Sequence, residues 1–439
     1  MFNVKRKGIL SLVIAFIMIL SVFSGCGTDY KFNRDYFFGL CDPSGSLEGG
    51  VDKAITNEWL GDVVDVLGVK SFRLWVNLEG KDGGGLFSVD KNNDLSFNQG
   101  YLAKVHDYVN NLKRGGVKNF LFLNTTYLHP YGSPMKGYDV PDVYDDEQDY
   151  LAFLEINAKA YGMLAEEFPE IKNWEVGNEP DLNGGGMHKF GYNASDLIAS
   201  EPYMFSDKEI AEIVCDLCWY IRRELKKVSS EHRVALPGLS LAYDYNHSFF
   251  ESIYEVIESK TLPYGTEYSD IDPDNYFDII DWHPYMNMDK FGSPYYLDFP
   301  EDMWEEWAEN TIEVHNIAAK HGDAEKPAYF SEFGYTDVGE PYNGELQNQI
   351  AKNYVIALDI IKERMPWVET VFCFRATTLV HQKASDNKTE ENFGIFYNKD
   401  DPENGGRAKP AAIALADYFG NSGSEHFANF DWLYNKYSK

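Results

Sequence analysis

Two segments of this 439-residue chain each place a single glutamate where a short apolar run gives way to a turn. The first run ends in Asn178-Glu179-Pro180, and the second ends at Glu332, about 150 residues later. A carboxylate at the end of a buried strand is held rigidly and still faces the loop side, the usual place of catalytic groups in a (β/α)8 barrel. Each glutamate alone is equally consistent with a solvated strand exit. As a pair they match retaining glycoside hydrolysis, in which one carboxylate is the nucleophile and the other is first acid and then base.

Between the two glutamates, a third apolar run ends in His283-Pro284-Tyr285. Taken alone, such a histidine is more often an ordinary hydrogen-bonded residue than a site residue. The three segments together resemble clan A of the glycoside hydrolases, and the pattern is similar to families 5 and 39 without selecting one of them. The resemblance implies that Glu179, at the end of strand 4, is the acid/base. It also implies that Glu332, at the end of strand 7, is the nucleophile.

The same resemblance implies roles for residues around the two glutamates. Tyr285 would hydrogen-bond the nucleophile and keep it ionised, while a neutral His283 imidazole would orient a substrate hydroxyl. Asn178 would donate a hydrogen bond to a hydroxyl beside the scissile bond. Arg73 sits where the clan often carries a strand 2 arginine that pairs with the nucleophile, and a purely structural salt bridge is its alternative. Trp282, next to the histidine, is a further substrate-binding candidate.

Two predicted strands depart from the clan's usual pattern. Strand 8 commonly carries a tryptophan under the cleaved sugar, but here the run continues into Phe374-Arg375 without one. Phe374 or a loop aromatic would replace this platform, and Arg375 would point into the cleft as a substrate-binding group. Strand 3 lacks a histidine in the familiar spacing and leaves Asn124, Tyr127 and His129 as its candidates. The exact family and the substrate therefore stay open.

The elements that would position these residues alternate along the chain. Eight short apolar runs are typical of buried parallel strands, and amphipathic helical patterns separate them. The two glutamates fall in the fourth and seventh runs, which predicts an α/β chain forming a single (β/α)8 barrel with long loops after its strands. The predicted strands lie near Tyr36–Leu40, Ser71–Trp75, Asn119–Asn124, Asn173–Gly177, Val234–Gly238, Phe277–Trp282, Ala328–Ser331 and Thr370–Phe374.

The N-terminal residues resemble a bacterial lipoprotein signal. A cationic stretch at residues 5–7 precedes an apolar run at residues 9–23, and the Ser-Gly-Cys26 that follows resembles a lipobox. We therefore expect residues 1–25 to be a signal peptide, residues 26–31 a short tether lipidated on Cys26, and residues 32–439 the catalytic domain. The protein would be extracytoplasmic and lipid-anchored to the bacterial cell membrane. A plain secreted protein is the alternative, and a transmembrane helix is disfavoured because the apolar run is short.

Composition narrows the class of partner. The formal net charge is -31, which disfavours nucleic acid and favours neutral over polyanionic carbohydrates. The sequence has no phosphate-cradling loop, zinc protease motif or dinucleotide fingerprint, so we expect neither a metal nor an organic cofactor. We interpret Cys215 and Cys218, three residues apart on a predicted helix, as buried packing. The acids Asp270, Asp272, Asp274 and Asp281 we interpret as solvated loop residues.

These observations predict a membrane-tethered retaining glycoside hydrolase that cleaves β-glycosidic bonds of a neutral poly- or oligosaccharide. Glu332 would form a covalent glycosyl intermediate, and water activated by Glu179 would release the sugar. The competing class is a sugar-capturing surface lipoprotein that keeps a barrel cleft without turnover. The presence of both glutamates together with His283 and Tyr285 favours the enzyme. Sugar identity, linkage, endo or exo action and oligomeric state stay open.

Overall fold

A computed structural model describes most of the chain after the predicted signal peptide. The described residues are 32, 34–41, 57–79, 85–141, 146–182, 187–189, 205–241, 247–259, 275–286, 298–337, 343–378, 392–397 and 406–421, with the backbone alone described at 57–59 and 188–189. The expectations for residues 1–31, including lipidation of Cys26, lie outside these ranges.

Eight strands within the described ranges form one sheet. They are β1 (Phe38–Cys41), β2 (Ser71–Asn77), β3 (Asn119–Thr126), β4 (Asn173–Glu175), β5 (Arg233–Ala235), β6 (Ile280–Asp281), β7 (Ala328–Phe333) and β8 (Val368–Phe374). The strand order is β6-β7-β8-β1-β2-β3-β4-β5, and every neighbouring pair is parallel. Each predicted strand is present, with its ends displaced by a few residues.

The first and last strands in this order, β6 and β5, are joined by isolated bridges. Ala235 pairs with Ile279 and Leu239 pairs with Trp282, both in parallel. The strand predicted over Phe277–Trp282 is therefore regular only at its centre and continues as single bridges on either side. The eight parallel strands form a nearly closed barrel, which confirms the predicted (β/α)8 fold.

Eight helices within the described ranges accompany the strands. Their apolar faces are buried where the sequence spacing predicts it, as with Leu60, Val63, Val64 and Leu67 on the first helix. The helices are α1 (Asn57–Leu67), α2 (Gln99–Arg114), α3 (Glu147–Glu167), α4 (Asp207–Val228), α5 (His247–Glu258), α6 (Glu301–Lys320), α7 (Gly344–Arg364) and α8 (Pro410–Tyr418).

Helix α4 illustrates how local sequence sets an element. It begins at a capping box, in which the Ser206 side chain accepts from the Glu209 amide and the Glu209 carboxylate accepts from the Ser206 amide. Its Cys215 and Cys218 are buried free thiols, as predicted. None of the helices that the structure describes is both long and apolar enough to cross a membrane.

Short additional strands organise the loops at the carboxyl ends of the barrel strands. After β2, Phe87–Val89 and Leu95–Phe97 form an antiparallel hairpin. Asp139–Val140, from the loop after β3, pairs in parallel with His188–Lys189, from the loop after β4. These loops belong to the end of the barrel at which active sites of this architecture are built.

Candidate active site

Arg73 is the centre of a buried network inside the barrel. It faces the interior from β2 and is fully buried. Its Nη1 donates to Oε1 of Glu332 at 2.6 Å, its Nε to Oε2 of Glu175 at 2.7 Å, and its Nη2 to Oδ1 of Asn178 at 2.7 Å. A buried cation is stable only when it is paired in this way. The pairing fixes Glu332 and engages the side-chain oxygen of Asn178, not its amide nitrogen.

A bulge in β7 turns Glu332 into the barrel. Ser331 already faces the interior, so strict alternation would point the next residue outward. Between the register pairs Phe330–Val371 and Phe333–Cys373, however, β7 contains one residue more than β8. Ser331 and Glu332 therefore both face inward. A bulge that re-aims a side chain is a recurrent device beside active sites.

Glu179, His283 and Glu332 meet at this end of the barrel. Nδ1 of His283 lies 2.7 Å from Oε1 of Glu179 and 3.8 Å from Oε2 of Glu332. The Tyr285 hydroxyl donates to Oε2 of Glu332 at 3.0 Å. One ligand atom from each of Glu179, His283 and Glu332 lies within 4.8 Å of the other two. The two carboxylates are thus close enough to act on the same bond.

Neighbouring charges set the ionisation of this group. Burial raises the pKa of Glu332, but His283, Arg73 and the hydrogen bonds to the carboxylate outweigh it and hold that pKa below its usual range. Burial and the charge of Glu332 raise the pKa of Tyr285 well above its usual value, so Tyr285 stays a phenol that donates. Burial lowers the pKa of His283, yet the carboxylates of Glu332 and Glu179 raise it overall. Glu332 is therefore kept ionised, as a nucleophile must be.

Glu179 has an unusual backbone conformation at the exit of β4. Its φ is 44°, in the left-handed region that few residues other than glycine adopt, and such strain is concentrated at functional sites. Its amide donates to the Gly238 carbonyl at 2.9 Å, and the preceding Gly177 amide donates to Asn124 Oδ1 at 2.8 Å. The Glu179 side chain is 22% exposed, against 7% for Glu332. Glu179 is therefore the carboxylate with the freer access to the cleft.

The loop that follows Glu179 is clamped to the loop after β5. The Asp181 carboxylate accepts the backbone amides of Ser240 and Leu241 at 2.9 and 2.8 Å. Leu241 has a φ of 46°, a second left-handed residue in the same short region. Asp181 is thus the group that fixes the loop on which the acid/base candidate stands.

Two buried acids that the sequence analysis did not single out as site residues complete the network. Glu175 forms a bidentate pair with Arg73 and accepts the Gly238 amide at 3.0 Å. Asp281 accepts the Ser331 amide at 3.1 Å, while its Oδ2 is buried and has no hydrogen-bond partner among the described residues. Burial and the charge of Glu175 raise the pKa of Asp281 well above its usual value.

The interpretation of Asp281 as a solvated loop acid is therefore wrong. The residue is fully buried, since it faces the barrel interior from β6 two positions before His283. That two-residue spacing was the signal in the sequence. The other acids of the series, Asp270, Asp272 and Asp274, lie outside the described residues.

Tyr127 and His129 lie in the buried start of the loop after β3. The two ring nitrogens of His129 lie 2.8 Å from Oε2 of Glu79 and 2.8 Å from the Asp139 carbonyl oxygen. Tyr127 is buried, and its hydroxyl lies against Gly177. Within the part of the chain that is described, no hydrogen bond joins either side chain to the two glutamates. Both contacts hold loops in place around the site.

The remaining candidates are packed rather than open to the cleft. Trp282 is buried, with its ring centroid 4.8 Å from that of Phe330. Phe374 is 8% exposed and packs edge to face on Phe393 at 5.6 Å. The Arg375 guanidinium is buried over the Phe374 ring, 5.8 Å from its centroid. Trp282, Phe374 and Arg375 are thus buried side chains, and Phe374 belongs to the barrel-interior cluster against which Tyr285 packs.

Glu179, His283 and Glu332 also have the spacing of a metal-ligand set. Both oxygens of Glu332 nevertheless accept hydrogen bonds, one from Arg73 and one from Tyr285. A fixed guanidinium beside the carboxylate suits a free anion better than a ligand to a cation. The donor set therefore fits acid–base and nucleophilic chemistry.

Comparison with solved structures finds similar folds among glycoside hydrolases. No protein-family model and no curated protein sequence matches the chain. A family 39 glycoside hydrolase from the gut symbiont Bacteroides cellulosilyticus WH2 is similar at 14% identity and a TM-score of 0.51, over 89% of this chain and 64% of that one. A family GH5 (subfamily 18) structure from Bifidobacterium longum subsp. infantis is similar at 15% identity and a TM-score of 0.52, over 87% and 78%. The β-glucosidase from Thermotoga maritima is similar at 14% identity and a TM-score of 0.53, over 90% and 99%.

At these identities the likeness shows the fold. The chain shares the (β/α)8 fold of these family 39 and family 5 structures, as the sequence resemblance implied, and the likeness selects neither family. It spans less than two thirds of the length of the family 39 structure from Bacteroides, 64%.

Proposed function

We propose that this chain is a retaining β-glycosidase. The observation that carries the proposal is the pair of glutamates beside His283, in which one carboxylate oxygen of Glu179 lies within 4.8 Å of one of Glu332. Retention uses carboxyl groups about 5 to 5.5 Å apart, whereas inversion needs about 6.5 to 9.5 Å to admit a water. The proximity of Glu179 and Glu332 supports double displacement.

The environments of the two glutamates support opposite roles. Glu332 is ionised and fixed by Arg73 and Tyr285, so it attacks the anomeric carbon and forms a glycosyl ester. Glu179 is more exposed and gives its proton to the departing oxygen, breaking the glycosidic bond. In the second step Glu179 takes a proton from water, and that water cleaves the ester and frees Glu332.

The substrate class follows from chemistry and charge. The formal net charge of -31 repels polyanions and favours a neutral poly- or oligosaccharide. Asn178 donates to a hydroxyl beside the scissile bond from the amide nitrogen that Arg73 leaves unused. The likeness to a β-glucosidase supports the β configuration.

A reducing-sugar assay over glucans, mannans, xylans and galactans tests the proposal. We expect turnover of at least one polymer by the wild type and none by Glu332→Gln, which is isosteric and lacks the nucleophilic charge. Retained activity in Glu332→Gln contradicts the assignment. Sugar binding without turnover by the wild type would favour a sugar-capturing protein instead.

Glu179→Ala tests the acid/base role of Glu179 separately from the nucleophile role of Glu332. Substrates with activated leaving groups need no protonation, so their glycosyl-enzyme forms and accumulates until added azide attacks it. We expect azide to restore release with aryl glycosides and not with natural polymers. Equal loss on both substrate types without azide rescue would remove Glu179 from the acid/base role.

We also propose that a lipid on Cys26 anchors the protein to the outer face of the cell membrane. The support is the order of three segments in the sequence: a cationic stretch at residues 5–7, an apolar run at residues 9–23, and then Ser-Gly-Cys26. Cys26→Ser removes the lipidated sulfur and should move the protein from the membrane fraction to the soluble or uncleaved pool. An unchanged distribution with normal signal cleavage would overturn the anchor.

A further inference from the structure

Among the tryptophans whose side chains the structure describes, Trp75 on β2 is the partly exposed one, and it contacts the arginine that pairs with Glu332. Trp75 lies two residues after Arg73 and therefore on the same, inward face of the strand. The outward-facing Phe72, Leu74 and Val76 are fully buried, whereas Trp75 is only partly buried. Because the other face of β2 is covered, the accessible part of Trp75 opens toward the mouth of the barrel.

Contacts on two sides fix the Trp75 ring. Its indole Nε1 donates to Sγ of Cys41, at the end of β1, at 3.1 Å. The Arg73 guanidinium carbon lies over the ring, 5.4 Å from its centroid. The ring also packs on the barrel-interior cluster that contains Phe374 and Phe393, as Tyr285 does. One ring face is thus occupied by the arginine, and its indole N–H is satisfied.

The same guanidinium that covers one face of Trp75 holds the nucleophile candidate. Arg73 Nη1 lies 2.6 Å from Oε1 of Glu332, so the ring and the carboxylate are neighbours across a single side chain. Phe374, at the end of β8, is 8% exposed and is covered by Phe393. The partly exposed ring of Trp75 is therefore an aromatic surface on β2 close to Glu332.

We propose that Trp75 is the aromatic platform on which a neutral pyranose ring stacks next to the scissile bond. The apolar C–H face of a sugar ring packs on an aromatic face, while the sugar hydroxyls remain free for groups such as Asn178. This inference rests on the proposed glycosidase function. It deepens that function by assigning the sugar-binding surface to β2 instead of β8.

The test measures sugar binding and turnover in three variants and the wild type. Trp75→Ala removes the platform, Trp75→Phe keeps a smaller aromatic face, and Trp219→Ala is the matched control. Trp219 lies on α4 and also contacts an arginine, with Arg223 4.9 Å from its ring centroid. Calorimetric titration with gluco-, xylo-, manno- and galacto-configured oligosaccharides gives affinity without requiring turnover, and p-nitrophenyl β-glycosides give kcat and KM.

We expect Trp75→Ala to weaken binding and raise KM by roughly 10- to 100-fold, the factor that corresponds to losing the burial of one aromatic side chain. Trp75→Phe should recover most of this loss, and Trp219→Ala should bind as the wild type does. The change in tryptophan fluorescence on adding sugar should disappear in Trp75→Phe and persist in Trp219→Ala.

The outcomes separate this inference from the proposed function. Wild-type affinity and an intact fluorescence change in Trp75→Phe and Trp75→Ala overturn the platform alone. Sugar binding by the wild type without any turnover overturns the proposed glycosidase activity. In that case, weaker binding by Trp75→Ala still supports the role of Trp75 as a sugar-stacking surface. Failure of the wild type to bind any of the four sugar types overturns both.

Discussion

Arg73 shares one positive charge between two carboxylates, those of Glu175 and Glu332, which it pairs differently. Glu175 takes two hydrogen bonds from it, whereas Glu332 takes one. A carboxylate has about four lone-pair positions, so the one hydrogen bond from Arg73 and the one from Tyr285 leave Glu332 with lone pairs free for the proposed attack. Glu175 instead neutralises the buried guanidinium with both of its oxygens, and the proposed reaction does not use it. This difference in pairing lets a buried network hold the proposed nucleophile without blocking it.

Tyr285→Phe tests the donor to the nucleophile. The hydroxyl stabilises the ionised form of Glu332, whose pKa is held below its usual range, so its removal raises that pKa. Glu332 must be ionised to attack. The acidic limb of the kcat/KM profile against pH should therefore move to higher pH, and kcat/KM should fall about 10- to 100-fold, the worth of a hydrogen bond to a charged group.

Tyr335→Phe is the control for this change. Tyr335 is also buried, and its hydroxyl has no hydrogen-bond partner in the described structure. Its pH profile should match that of the wild type. An acidic limb in Tyr285→Phe that stays in place or moves to lower pH would contradict the assigned contact.

Asp281→Asn tests the buried acid. Because burial and Glu175 raise the folded-state pKa of Asp281, the folded state binds its proton more tightly than the unfolded state does. The wild-type free energy of unfolding should then fall as pH rises above the unfolded value of about 3.9. Asparagine keeps the acceptor for the Ser331 amide and removes the charge. Its unfolding free energy should decline less between about pH 4 and pH 7, as measured by chemical denaturation.

The effect of Asp278 on the pH dependence of stability should be opposite to that of Asp281, and Asp278→Asn tests it. Burial raises the pKa of Asp278, but Arg222 outweighs it and lowers that pKa, so its stabilisation is present above the unfolded pKa and lost in acid. Removing this carboxylate should therefore cost stability at neutral pH. For Asp281→Asn, a decline equal to or steeper than that of the wild type would show that the folded-state pKa of Asp281 is not raised.

At the scale of elements, the site depends on how strands end. Glu332 reaches the interior only because β7 carries an extra residue, and Glu179 only because the chain takes a left-handed turn after β4. The loop after Glu179 is then tied to the loop after β5 through Asp181. Strand ends and their clamps, more than regular strand pairing, place the two carboxylates.

Asp181→Ala should loosen the acid/base while leaving the nucleophile in place. We expect kcat to fall about tenfold, or ~1.4 kcal/mol, for substrates with poor leaving groups, and less for activated aryl glycosides that need no proton. Asp90→Ala is the matched control, because Asp90 also accepts two backbone amides, of Asn92 and Asp94, in an exposed turn. An equal loss on both substrate types would assign Asp181 a general structural role.

The eight strands could be predicted because each is a short apolar run, and a buried parallel strand requires little else. The bulge in β7 could not, since Ser331-Glu332 has no local signal that distinguishes a bulge from regular alternation. Glu175 was missed for a related reason. A charged residue inside an apolar run looks like a strand exit until its partner, Arg73 on another strand, is known. Trp75 could not be singled out from the sequence either, because its partial exposure depends on how the strands close into a barrel.

At the scale of the whole molecule, the site belongs to the barrel and to no single segment. Arg73 comes from within β2, and Glu179, His283 and Glu332 come from the carboxyl ends of β4, β6 and β7. Closure of the sheet between β5 and β6, through bridges at 235–279 and 239–282, brings the last two beside the first two. A chain of net charge -31 thus gathers several of its acids around one buried arginine, where their spacing, rather than their number, decides the chemistry.

Trapping of the covalent intermediate tests the central claim most directly. The full-length protein is incubated with 2,4-dinitrophenyl 2-deoxy-2-fluoro-β-glycosides of gluco, xylo, manno and galacto configuration, denatured, digested and analysed by mass spectrometry. The fluorine slows hydrolysis of the glycosyl ester, so a retaining enzyme accumulates it. We predict one added fluorosugar on the peptide that contains Glu332 and none in Glu332→Gln. Turnover of the matching natural glycosides without any adduct, or an adduct on a residue other than Glu332, would contradict the account.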